Sequence, residues 1–302
     1  MTVLRLGTRG SPLALTQAAM VRDALVAAHP GLAVEIVVIR TTGDRVQDRP
    51  LAEIGGKALW TKELDRALLA GDIDCAVHSM KDVETVRPDA IAIVAMLARA
   101  DVRDRLVGAT SFEALPPGAR IGTSSPRRAA QVRSLRPDLQ PVMFRGNVDT
   151  RLARLAAGEA EATLLAAAGL ERLGRHDVGV AIPVAEMLPA PAQGAVGIEC
   201  RSDDDATRAR LTAIDHPLTR ACVLAERALL AALVADCHSP VAALARIEGA
   251  ILTIDAALYA EDGSAHVAAQ ESGAPGDPAV SRALSDKLLS LAPDAVRRLF
   301  GG

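Results

Sequence analysis

Ala76-Val77-His78-Ser79-Met80-Lys81-Asp82-Val83 is the stretch whose reading decides the fold. It continues the run Ile73-Asp74-Cys75-Ala76-Val77, where apolar side chains recur at every second residue, the period of a β-strand. A strand ending in His-Ser-Met-Lys-Asp sets a cation and a carboxylate at the carboxyl edge of a sheet, where open α/β folds bind ligands. A Lys-Asp pair alone is explained as well by a wet surface loop, so the rest of the chain must decide.

At 302 residues the chain exceeds one compact core, and two or three domains are expected. Its 50% hydrophobic and 24% charged residues describe a globular protein. The longest clean apolar run, Ile91 to Ala98, is too short for a bilayer, and the Met1-Thr2-Val3-Leu4-Arg5 start lacks the apolar core of a signal peptide. A cytoplasmic location without membrane contact is therefore expected. Cys75, Cys200, Cys222 and Cys237 form no Cys-x-x-Cys pair, which argues against a zinc site and a disulfide framework.

The net charge of -3 excludes a general polyanion binder. Between Arg120 and Arg154, however, eight arginines stand against two aspartates, so that segment calls for an anion. Aromatic residues make up 2% of the chain, too few for the stacking platforms of single-strand nucleic-acid binders. A small polycarboxylate or phosphate fits better.

Upstream, strand-like Val3-Leu4-Arg5-Leu6 runs into Gly7-Thr8-Arg9-Gly10-Ser11-Pro12, with Ser11 as helix N-cap and Pro12 at the first helical position. The helix carries Leu13, Gln17 and Met20 on adjacent turns. Its free N–H groups and Arg9 form an anion site. Downstream, Ile121-Gly122-Thr123-Ser124-Ser125-Pro126-Arg127-Arg128 repeats the same logic of strand, Gly-Thr, Ser-Pro cap and helix. Two such turns imply two similar α/β domains forming a cleft, a clamshell.

Gly55-Gly56-Lys57 beside Trp60 reads as a flap whose Lys57 reaches an anion, or equally as a long surface connection. Arg99 to Arg105 reads as the crossing into the second domain. Arg145 and Arg151 join Arg127 and Arg128 near one sheet edge, with Asn147 or Asp149 capping the helix between them, while Arg133, Arg136 and Arg154 are expected to be solvated. Gln193-Gly194-Ala195-Val196-Gly197-Ile198-Glu199-Cys200 reads as a strand rejoining the first sheet. After His216 come a long helix, three strands and a last helix over about 278–300, a small α+β domain. The expected division is residues 1–98 with 194–215, then 99–193, then 216–302. Cys237 alone among the cysteines lies in a polar loop, Ala235-Asp236-Cys237-His238-Ser239-Pro240, and is the candidate reactive thiol.

These motifs in this order, with Thr150-Arg151-Leu152 after Arg145-Gly146-Asn147, resemble the porphobilinogen deaminase (hydroxymethylbilane synthase) family over almost the whole chain, most weakly after about residue 245. The resemblance implies two domains like periplasmic binding proteins and a third that carries a covalent dipyrromethane cofactor, here on Cys237. It implies head-to-tail condensation of four porphobilinogen units with loss of ammonia, and release of the linear tetrapyrrole by water. Asp82 matches the catalytic carboxylate. Matching the family's binding residues are Arg9, Ser11 and Gln17 of the first turn and helix, Lys57 of the flap, and Ser79 and Lys81 beside Asp82. From the second domain, Thr123, Ser124, Ser125, Arg127 and Arg128 match, with Arg145, Arg151 and Gln193. The many cations answer the acetate and propionate of every pyrrole. Nothing demands more than a monomer.

The chain departs from the family pattern at Ala235-Asp236, where Gly-Gly is usual, at Pro126, and at Ala58 and Trp60 in the flap. A carboxylate beside Cys237 disfavours the thiolate. A two-lobed dicarboxylate-binding protein would also use the arginines, though it would leave Asp82 and Cys237 without roles. A Cys-His hydrolase would use Cys237 and leave the arginines idle.

Overall fold

The structure is a computed structural model, described here for residues 3–40 and 61–300. The chain separates into two compact units, Met1–Ala100 with Gly194–Arg220, and Asp101–Gln193 with Ala221–Gly302.

The first unit is built on a five-stranded sheet of order β2-β1-β3-β10-β4. Its strands are β1 (Val3–Arg9), β2 (Ala33–Ile39), β3 (Cys75–Ser79), β4 (Ile91–Met96) and β10 (Val196–Arg201). β1 runs parallel to β2 and β3, whereas β10 is antiparallel to both β3 and β4. Side chains alternate across β3, so Cys75 and Val77 join one core with Leu4, Leu6 and Val21 while Ala76 joins another with Leu64 and Leu68. Helix α1 (Pro12–Ala28) supplies the first core and α2 (Lys62–Leu69) the second. Covered on both faces, β3 reads as nearly continuous apolar sequence until it reaches Ser79. Helix α6 (Asp205–Thr212) adds Leu211 to the first core.

The second unit holds a five-stranded sheet of order β7-β6-β8-β5-β9. It comprises β5 (Asp104–Val107), β6 (Arg120–Thr123), β7 (Gln140–Met143), β8 (Ala162–Ala166) and β9 (Val180–Ala181). β6 is parallel to β7 and β8, and β5 is antiparallel to β8 and β9. Position by position this is the order and sense of the first sheet, so the repeat read from two Ser-Pro turns extends to the strand topology. Helices α3 (Pro126–Leu135), α4 (Val148–Ala156) and α5 (Ala167–Arg172) accompany it.

The repeated Gly-Thr has a packing cause. A Cβ on Gly7 would lie 2.3 Å from Ile73 Cδ1, and one on Gly122 would lie 2.4 Å from the Phe144 ring. In each sheet a large side chain therefore lies against the bare strand backbone just before the helix-capping turn.

The second unit also contains a three-stranded antiparallel sheet, β11 (Val241–Glu248), β12 (Ile251–Tyr259) and β13 (His266–Gly273). Helices α7 (Pro217–Ala232) and α8 (Pro278–Leu291) pack on it around Leu229, Leu233, Ile254, Leu258 and Leu284. Cys222 belongs to this core and Cys200 to that of the first sheet.

Three local expectations change. The last helix does not run unbroken to Phe300: it stops at Leu291 and a short α9 (Asp294–Arg297) follows. Pro293 forces Ala292 into extended backbone at ψ 132°, which ends α8. The polar run after Arg99 is not only a crossing, because Asp104 begins strand β5. Strand β1 also continues through the Gly-Thr to Arg9.

Candidate active site

Strand β3 ends at Ser79, and Met80–Asp82 form a single 3-10 turn. Met80 anchors it: the side chain is buried, its N–H donates to the Ala195 carbonyl at 3.1 Å, and its carbonyl accepts from Val83 N–H at 3.3 Å. The neighbouring strand makes room for it, since a Cβ on Gly197 would fall 2.0 Å from Met80 Sδ. With Met80 inward, Lys81 and Asp82 are left half-buried at the strand end.

Asp82 lines a pocket with Arg9, Ser11, Gln17, Thr61, His78 and Ser79, over an apolar lining of Leu13, Ala14, Val77 and Val83. The amino end of α1 borders it, capped by Ser11 Oγ, which accepts from Ala14 N–H at 3.3 Å. Gln17 is buried, and its Nε2 donates to Ser79 Oγ at 2.8 Å. Among the described residues the Asp82 carboxylate makes no hydrogen bond or ion pair. Lys57 lies outside the described residues, and Lys81 is not among the pocket residues.

Behind the pocket lies a buried ionic cluster. Arg87 grips Glu199 through Nε at 2.8 Å and Nη2 at 2.9 Å, and also donates to Glu84 at 2.6 Å and Asp65 at 2.5 Å. Glu84 accepts from Thr61 Oγ1 at 2.7 Å. His78 Nε2 is 3.2 Å from Glu199 Oε2, an ion-pair distance not aligned as a hydrogen bond. Burial opposes ionisation of Glu199, yet His78 and Arg87 outweigh it and hold this carboxyl down at about 2. Burial raises Asp65 despite the same arginine.

In the second unit Ser125 caps α3, accepting from Arg128 N–H at 3.4 Å, and Thr123 Oγ1 accepts from Ser125 N–H at 3.2 Å. Asn147, rather than Asp149, caps α4 and accepts from Thr150 N–H at 2.9 Å. Arg151 joins the two turns, donating from Nη2 to Ser124 Oγ at 3.2 Å and from Nε to the Gly146 carbonyl at 3.0 Å. Arg145 Nη1 is buried with no partner among the described residues.

Arg127 and Arg128 are both buried and turn onto one carboxylate. Asp104 accepts from Arg127 Nη2 at 2.6 Å, from Arg128 Nη2 at 2.7 Å and Nε at 3.2 Å, and from Gln193 Nε2 at 2.8 Å. Burial disfavours the Asp104 anion, but the two guanidinium charges prevail and its carboxyl titrates below the usual carboxylate range. Two cations on one anion leave the cluster with one net positive charge. Burial lowers the Arg127 guanidinium.

The arginines expected to be solvated have partners. Arg136 forks onto Asp138 at 2.8 and 2.7 Å, Arg154 lies 4.2 Å above the Phe144 ring, and Arg133 donates to the Glu261 carbonyl at 3.1 Å. Sequence reasoning missed Asp104 and the pairing of Glu199. A carboxylate inside Val196-Gly197-Ile198-Glu199-Cys200 was the available signal, since a charge in an apolar strand must be paired.

Cys237 is exposed, whereas Cys75, Cys200 and Cys222 are buried. The carboxylate feared beside it is engaged: Asp236 Oδ1 accepts from His238 N–H at 2.8 Å.

Residues 4–209 match the family model "Porphobilinogen deaminase, dipyromethane cofactor binding domain" and residues 220–289 match "Porphobilinogen deaminase, C-terminal domain". The chain is 60% identical over 306 residues to a porphobilinogen deaminase of Sphingopyxis alaskensis, covering 98% of this chain and 96% of that protein. It is 50% identical over 297 residues to one of Paracoccus denitrificans, covering 96% and 95%. Among solved structures it is similar to an arginine-specific periplasmic binding protein of Salmonella typhimurium, at 13% identity and TM-score 0.41, covering 71% of this chain and 92% of that one. The chain belongs to the porphobilinogen deaminase family.

Proposed function

We propose that Asp82 is the catalytic carboxylate of this chain and Cys237 the attachment point of its cofactor. The family activity is tetrapyrrole biosynthesis, the stepwise condensation of four porphobilinogen units into hydroxymethylbilane with release of ammonia. The observation that carries the reading of Asp82 is its place: a half-buried carboxylate lining a pocket with Arg9 and the amino end of α1, with no hydrogen bond or ion pair among the described residues.

The residues present fit a dipyrromethane. Its acetates and propionates need cations and N–H donors, and the second unit offers Arg145 Nη1, which has no hydrogen-bond partner among the described residues, and two capped helix ends. Cys237 alone among the described cysteines is exposed for a thioether. When bound, the group would supply the terminal pyrrole carbon that the first unit joins, each later unit joining the one before it.

In each condensation the aminomethyl C–N bond of porphobilinogen breaks, its electron pair leaving with ammonia, and a C–C bond forms as a ring proton is lost. Asp82 accepts hydrogen bonds from pyrrole N–H and stabilises the positive charge that grows as the amine departs. It also passes a proton to the leaving nitrogen. Arg9, Ser11, Lys57, Lys81, Thr123, Ser124, Ser125, Arg145 and Arg151 bind substrate and cofactor carboxylates, each charge-assisted bond worth roughly 1.5–3 kcal/mol. Gln17 and Ser79 act as a linked pair in the same pocket. Arg127, Arg128 and Gln193, fixed on Asp104, contribute a net positive charge from buried positions.

The domain division proposed is 1–98 with 194–215, 99–193 and 216–302. The protein works as a monomer in the cytoplasm, with neither nucleic acid nor membrane as partner. The reading is tested by incubating purified protein and Asp82→Asn with porphobilinogen and measuring ammonia and linear tetrapyrrole. Turnover should fall about 100-fold or more in the variant, with its thermal midpoint preserved. Wild-type-like turnover in Asp82→Asn would sink the assignment, and reversible binding without ammonia would instead favour a two-lobed binding protein.

A further inference from the structure

We infer that Asp236 is a positioning residue for cofactor attachment, because its carboxylate builds the turn that presents Cys237. The inference rests on the reading of Cys237 as the attachment point.

The loop is tied at both ends. Helix α7 closes with Val234 N–H on the Ala231 carbonyl at 3.1 Å and Ala235 N–H on the Leu230 carbonyl at 2.9 Å. At the other end Val241 N–H donates to the Ser239 carbonyl at 2.8 Å as β11 begins. Between these ties Ser239 N–H donates to the Asp236 carbonyl at 3.1 Å, closing a four-residue turn with Cys237 and His238 at its centre. The Asp236 side chain adds a second ring: Oδ1 accepts from His238 N–H at 2.8 Å, an Asx turn. A third bond runs from Asp236 N–H to Ser239 Oγ at 3.1 Å. Asp236 is half-buried, while Cys237 and His238 at the apex are exposed.

Attachment joins the thiol to the aminomethyl carbon of porphobilinogen. The C–N bond breaks with its electron pair on nitrogen, a sulfur lone pair forms the C–S bond, and the thiol proton leaves on the amine. Thiol and porphobilinogen thus give thioether and ammonia, with no oxidant. Such a step gains from an exposed sulfur held in one place. Charge argues the other way, since a carboxylate nearby disfavours the thiolate. Geometry and charge therefore give opposite signs for removing Asp236.

Cofactor-free wild type, Asp236→Asn, Asp236→Ala and Cys237→Ser are incubated with excess porphobilinogen, and denatured intact mass is followed in time. Asparagine keeps the Oδ1 acceptor of the turn and alanine does not. Wild type should gain two linked units, Asp236→Asn should load within about threefold of that rate, and Asp236→Ala about tenfold more slowly. Asp236→Ala loading as fast as wild type, or Asp236→Asn as slow as alanine, would overturn the inference while leaving the attachment reading in place. No adduct on wild type, or an adduct on Cys237→Ser, would overturn the attachment reading and this inference with it.

Discussion

Gln17 Nε2 donates to Ser79 Oγ at 2.8 Å and the Ser79 hydroxyl returns a bond to Gln17 Oε1 at 3.1 Å, so the second turn of α1 is tied to the last residue of β3. Both residues line the pocket of Asp82. Removing the hydroxyl loses a bond worth about 1 kcal/mol and leaves a buried amide short of a partner. Ser79→Ala should lower kcat/KM about fivefold to tenfold while the thermal midpoint drops by only a few degrees. Unchanged kinetics would show that this tie does not position the site.

Gly197 and Met80 are a second coupled pair. An added Cβ would sit 2.0 Å from Met80 Sδ and 2.7 Å from its Cγ, so Gly197→Ala must displace the anchor of the turn that carries Asp82. Overpacking of this kind costs about 1–3 kcal/mol. Turnover should fall along with stability, and Gly197→Ala combined with Met80→Ala should be less destabilised than the sum of the two singles by about 1 kcal/mol in urea unfolding. Strict additivity would contradict the contact.

Val234 holds φ 54° at the position after the α7 C-cap, where glycine is the usual residue. The residue is 72% exposed, so little packing is lost on removal of its side chain. A β-branched residue in this region costs about 1–2 kcal/mol, partly offset by the extra freedom glycine brings to the unfolded chain. Val234→Gly should therefore raise the thermal midpoint by about 1–3 °C. A lower midpoint in calorimetry would contradict the strain.

Acid should weaken both units. The Glu199 carboxyl is depressed from 4.5 to about 2 and that of Asp104 is also lowered, so unfolding lets each bind a proton that the folded state refuses. Their contribution is complete above the ordinary carboxylate range and is lost as pH falls from about 4.5 toward the folded values. Each group adds a slope of up to about 1.4 kcal/mol per pH unit. Urea midpoints measured from pH 5 to 3 should fall, and Glu199→Gln should flatten that fall. An identical slope in Glu199→Gln would rule out its paired, depressed state.

Much of this fold was legible because its signals are local. Ser11-Pro12 and Ser125-Pro126 each predict a cap, and both side chains accept the expected backbone N–H. The apolar run ending at Ser79 predicts a strand with Asp82 beyond it. What escaped depends on contacts distant in sequence. Asp104 begins a strand and is wholly buried only because Arg127 and Arg128, 23 and 24 residues later, turn inward onto it. Strand β9 has two residues, too few to show any period. For the arginines the sequence gives charge but not direction: Arg151 bridges two turns, while Arg136 and Arg154 find partners of their own. Pro293 was a readable helix stop that the apolar periodicity on either side obscured.

The most direct test of the central claim is the denatured intact mass of the purified protein beside Cys237→Ser. A covalent dipyrromethane on Cys237 predicts an excess equal to two linked porphobilinogen residues, present in the wild type and absent from the variant. A bare mass that stays bare after incubation with porphobilinogen, or the same excess in both proteins, would contradict it.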